Sequence, residues 1–161
     1  MRKVIVCLAI LGSFSSAVMG QARSAGAAGG AAIKACSLLP KELVEKYFQN
    51  KKVFPFMKPS EEAIGAKGSS CDYGSIHLQV DPFARPDEIR KTRTKDKGWE
   101  PVSGVGDAAY FHNNKDRFAE LMVWTGSHHI TIQMDVNDGR TADNTKPDTI
   151  AVANAIIPKL R

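Results

Sequence analysis

The sequence predicts an α+β domain in which an antiparallel sheet of about five to six strands carries packed helices at its N-terminal and C-terminal ends. Two patterns lead there. Residues 107–136 alternate apolar and polar side chains across two tight turns, the mark of a C-terminal three-strand meander. Residues 36–48 and 147–160 instead repeat their apolar positions at helical spacing. With 161 residues, 43% of them apolar and 24% charged, the chain is long enough for one core and short for two.

At the N-terminus, Arg2 and Lys3 precede an apolar run from Val4 to Leu11 and then small residues, which reads as a signal peptide over 1–22. That run is too short to span a bilayer comfortably, so no stable membrane span is expected after cleavage; a retained N-terminal anchor is the alternative. Cys7 lies inside the run rather than after it, and Lys34 stands before Cys36, so neither cysteine sits in a lipoprotein cleavage signal. Cutting after Ala22 removes Arg2 and Lys3, leaving 20 basic residues against 17 acidic and a net charge of +3 in place of +5. This mild balance argues against nucleic acid or an anionic membrane as the partner. Cleavage also removes Cys7. The remaining pair, Cys36 and Cys71, most simply forms one disulfide in an oxidising compartment, so the expected location is periplasmic or secreted.

Residues 23–34 form a flexible Gly/Ala-rich tether with nothing to bury, and residues 35–161 form the single domain. Its first helix places Leu39, Leu43, Val44, Tyr47 and Phe48 at helical spacing, with Pro40 in the first turn and Cys36 just before it. Residues 53–57 are broken by Pro55 and allow at best an edge strand. Residues 59–69, with Gly65, Gly68 and the Glu61–Glu62 pair, read as a loop or one short helical turn. Gly74–Ser75 then turn a short strand holding Cys71 into a second, where Ile76, Leu78 and Val80 alternate with His77, Gln79 and Asp81. A bond between Cys36 and Cys71 would pin the first helix to this hairpin. Residues 86–95 open on Asp87 and Glu88 and close on Arg90, Lys91, Arg93 and Lys95, a helix with a solvated basic face or, on a sharper reading, a dock for an acidic partner. Gly104-x-Gly106 leads into a strand and not a helix, which removes it as a dinucleotide loop. After the meander comes a polar loop, then a helix from Pro147 with Ile150, Ala153, Ile157 and Leu160 on one face, ended or kinked by Pro158.

Within the meander, a turn at Gly126–Ser127 sets Val123 opposite Ile130, Leu121 opposite Ile132 and Ala119 opposite Met134, all on one face. A four-residue loop at 113–116 would set Tyr110 beside Ala119 and Phe111 beside Phe118. The second face then carries Phe111, Phe118, Glu120, Met122, Trp124, His129, Thr131 and Gln133. Such a mixture fits a face covered by a helix at one end and open at the other, and an aromatic wall with a few polar groups is a common ligand surface. Simple coverage by a helix, with the polar groups reaching its rim, is the plainer reading.

The combination of Cys36, Leu38 and Leu39 near the domain start, Cys71 and Tyr73 opening a hairpin, then Gly104, Gly106, Asp107 and Tyr110 resembles a group of small exported bacterial domains of unknown function. Their architecture is similar to the PsbP-like α/β sandwich. The resemblance spans roughly residues 36–160 and implies a shared fold and disulfide, with no activity attached. Pro40 departs from it by replacing the hydroxyl or acidic cap expected before the first helix.

No catalytic or metal-binding set emerges, and no cofactor is expected. No serine lies in a G-x-S-x-G elbow, and adjacent His128 and His129 point to opposite faces of one strand. The carboxylates Glu61, Glu62, Asp87, Glu88 and Asp107 sit in loops or first turns, where capping and solvation explain them. The expected function is a non-enzymatic binding module, a monomer, that receives a small apolar ligand or an envelope protein through Trp99, Phe111, Met122, Trp124 and His129. The alternatives are an inhibitor of an envelope enzyme, acting through the protruding loop at 113–116, and a small hydrolase with a polar pair in a cleft.

Overall fold

The computed structural model describes residues 32–47, 58–82, 91, 98–114, 117–136 and 141–160. They belong to one compact unit, Ala31–Arg161. The expected signal peptide, most of the tether, the strand at 53–57 and all but Lys91 of the helix at 86–95 lie outside them.

Two short helices open the unit, α1 (Ala35–Leu38) and α2 (Lys41–Tyr47). The single first helix expected from the sequence is thus split. Leu39 is driven out of helical geometry, φ −112° and ψ 70°, as residues before proline commonly are, and Pro40 restarts the chain by accepting the amides of Leu43 and Val44. Cys36 therefore lies inside α1 rather than ahead of the helix.

Seven antiparallel strands follow: β1 (Ser60–Ile64), β2 (Gly68–Asp72), β3 (Ile76–Pro82), β4 (Trp99–Val102), β5 (Ala108–Asn114), β6 (Phe118–Thr125) and β7 (His128–Asp135). Their order in the sheet is β1-β2-β3-β7-β6-β5-β4, so β3 and β7 meet across a long stretch of chain. The count is seven rather than five or six because both outermost strands escape a sequence reading. Residues 60–64, expected as loop, form β1, and residues 99–102 form β4 with Pro101 paired to Tyr110. Edge strands need only one hydrogen-bonding side and tolerate charge and proline, so neither shows clean alternation.

The first sheet face holds the core. Ile76, Leu78, Val80, Ala119, Leu121, Val123, Ile130, Ile132 and Met134 are fully buried there. Burying each of the larger side chains contributes roughly 1.5–3 kcal/mol. The expected pairs Val123–Ile130, Leu121–Ile132 and Ala119–Met134 are present, joined by a turn in which Gly126 takes φ 55°.

Helix α3 (Ala142–Ile156) and a 3-10 turn (Ile157–Leu160) cover this face near β5 and β6. Lys146 spans from the helix over the Phe111 ring, 5.2 Å from its centroid, to Glu100 of β4 at 2.6 Å. The helix begins five residues before the expected start. Thr141 caps it, accepting the Asn144 amide at 3.2 Å while the Asn144 side chain accepts the Thr141 amide at 2.9 Å. Pro158 ends the α-helical geometry as expected.

At the other end of the face, Ala35 of α1 donates its amide to Ser69 Oγ at 2.7 Å, and the Sγ atoms of Cys36 and Cys71 stand 2.03 Å apart, at disulfide distance. Tyr73, just beyond Cys71, is buried, and that burial, reinforced by the Glu42 carboxylate, pushes its phenol pKa up. Among the described residues no helix is long and apolar enough to cross a membrane.

Candidate functional site

The second sheet face is built from the alternate residues of the same strands, and the register aligns them in rows. One row runs from Ala108 through Trp124 and His129 to Asp81. Next to it lie Tyr110, Met122, Thr131 and Gln79, and beyond them His112, Glu120, Gln133 and His77. Trp99 of β4 pairs with His112 and stacks on its ring at 4.9 Å, with 25° between the planes.

Burial is graded along this face. At the Trp124 end the side chains are enclosed: Trp124 is 3% exposed, His129 6% and Asp81 7%. The indole lies 4.8 Å from the His129 ring and takes the Tyr110 ring edge-on at 5.9 Å. His129 Nδ1 is 4.0 Å from Asp81 Oδ2, which also accepts Gln79 Nε2 at 2.7 Å. The Trp124 Nε1–H group, though fully enclosed, has no hydrogen-bond partner among the described residues. A buried donor in that state costs on the order of 1–3 kcal/mol until an acceptor reaches it.

The other end is half open. There Asp72, Gly74, Ser75, His77, Phe118, Gln133 and Asp135 line a groove of about 200 Å³. The Asp72 carboxylate accepts the Gly74 amide and lies 3.6 Å from His77 Nδ1. Burial, and then the neighbouring Asp72 charge, raise the Asp135 pKa above its ordinary value. Among the described residues no group of three or more His, Cys, Asp or Glu side chains could hold a metal ion.

Searches with this chain match no protein-family model, no curated protein and no solved structure. The site is therefore read from its own geometry.

Of the five residues singled out in the sequence, Met122, Trp124 and His129 lie together, and Trp99 shares their face at its β4 edge. Phe111 does not. It pairs with Leu121 and is fully buried in the core on the opposite face. The reason is the turn between β5 and β6: Asn114 pairs with Phe118, so the register differs by three residues from the one that sets Phe111 beside Phe118. An odd shift exchanges the faces of a strand. It moves Tyr110 to the aromatic face in place of Phe111. Asp81 and Gln79 were visible only as the polar side of a strand, because their meeting with β7 joins segments about fifty residues apart.

Proposed function

We propose that the protein is an exported, non-enzymatic binding module that takes a small apolar ligand, or a segment of an envelope protein, on the second face of its sheet. The observation that carries this reading is the buried Trp124 indole N–H, held between Tyr110 and His129 with no acceptor among the described residues. A ligand suited to that place has an apolar body to lie against the rings and one acceptor for the indole. The Asp81 carboxylate, itself held by Gln79 Nε2, lies 4.0 Å from Nδ1 of the His129 ring that Trp124 packs against. A periplasmic or secreted location rests on the N-terminal signal and on the cysteine pair, which suits an oxidising compartment.

Native mass spectrometry of the mature protein recovered from its own cell envelope tests this. The wild type is expected to carry a bound small molecule or partner, and Trp124→Phe, which keeps an aromatic ring but deletes the indole N–H, is expected to lose most of it. Undiminished occupancy in both Trp124→Phe and Trp124→Ala would sink the assignment.

A further inference from the structure

Where β6 turns into β7, on the opposite side of the sheet from Trp124, Asp107, Thr125, Gly126, Ser127, His128 and Leu160 line a cavity of about 410 Å³. Thr125 and His128 are register partners that continue the alternation of Val123 and Ile130, which places them on the helix-covered face at its outer end. The volume lies within the range of roughly 300–1,000 Å³ typical of small-molecule pockets.

The walls of this cavity are fixed. The Asp107 amide donates to the Trp124 carbonyl at 2.7 Å, and Asp107 Oδ2 accepts the Gly126 amide at 2.6 Å. The carboxylate thereby locks the turn that carries Ser127 and His128. Thr125 is only 4% exposed and lends its side chain to the lining.

We propose that this cavity binds a small neutral polyhydroxy molecule, a single saccharide unit. Sugar hydroxyls both donate and accept, and they meet here one carboxylate acceptor, two hydroxyls that do both and one imidazole. Leu160 offers an apolar surface for the C–H face of a sugar ring. An anion would be repelled by Asp107, and an apolar molecule would strip water from that carboxylate at a cost. This site shares no residue with the Trp124 face and stands or falls separately from it.

The test is an amide NMR titration of the mature protein with glucose, with N-acetylglucosamine and with glucuronate. The two neutral sugars are expected to shift the amides of Asp107, Gly126, Ser127 and His128, with glucuronate causing no such shift. Thr125→Val keeps the shape of the side chain and removes its hydroxyl, and it is expected to weaken sugar binding about five- to tenfold. Should that variant lose its dispersed spectrum, Ser127→Ala at the exposed turn supplies the same readout. Failure of both neutral sugars to shift these amides, equal binding of glucuronate, or wild-type affinity in a folded Thr125→Val protein would each overturn the proposal. Trp124→Phe is expected to leave the sugar shifts unchanged.

Discussion

Gly106 holds φ 58°, and a Cβ there would lie 2.6 Å from both the Trp124 carbonyl oxygen and Val123 Cγ1. Backbone and core leave room only for hydrogen. Gly106→Ala is therefore expected to destabilise the protein by at least about 1–3 kcal/mol, seen as a lower urea midpoint with little change in slope. This gives Gly106 and Asp107 of the G-x-G-D stretch a structural purpose, since together they press the chain against β6 and hold the β6–β7 turn. At the half-open groove, Asp135 titrates above its ordinary 3.8 because burial and Asp72 both oppose its charge. Asp72→Asn is expected to bring its midpoint, followed by carboxyl NMR, back toward that value. The sign of the linked stability follows from the raised pKa. Between the unfolded and folded values the folded state holds the proton more tightly, so this group favours folding at low pH and loses that contribution as pH rises through the window.

Helix α3 shows why a terminal element can be recognised and still be misplaced. Its buried stripe runs through Ala142, Thr145, Thr149, Val152, Ala153 and Ile156, and two of those positions are threonine. Thr145 donates to the Thr141 carbonyl at 2.7 Å and Thr149 to that of Lys146 at 2.8 Å, so both hydroxyls are satisfied inside the helix and their methyls pack inward. In the sequence Ala142 and Thr145 look like part of a polar loop. Thr141→Ala, which removes the cap, is expected to cost about 1 kcal/mol. Pro147 lies inside the helix and denies the Asp143 carbonyl its usual donor, so Pro147→Ala is expected to gain about 1 kcal/mol or more, offset in part by a looser unfolded chain. Thermal denaturation of the two variants should move in opposite directions. The β6–β7 hairpin was fully legible because its turn and its alternation agree on one register. The β5–β6 register was not, because Asn113, Asn114, Lys115 and Asp116 allow more than one loop length and each places different side chains on the aromatic face.

At the scale of the molecule, the disulfide-distance pair Cys36–Cys71 closes a loop with a sequence separation of 35 residues, tying α1 to β2. Breaking the bond is expected to cost about 3–4 kcal/mol through the freed unfolded chain. Urea unfolding with and without reductant measures this directly, and an unchanged midpoint would show the bond to be energetically idle. The sheet itself is two ribbons of consecutive strands, β1 to β3 and β4 to β7, sewn together by the seven residue pairs between β3 and β7. That seam could not be read locally, and it decides which polar side chains of β3 stand beside His129. It also sets a timetable. As the chain is synthesised, Ile76, Leu78 and Val80 emerge long before β7 and α3 exist to cover them, so the core cannot close until α3 has been made. A domain built in this order keeps its apolar strands uncovered until its last helix has emerged.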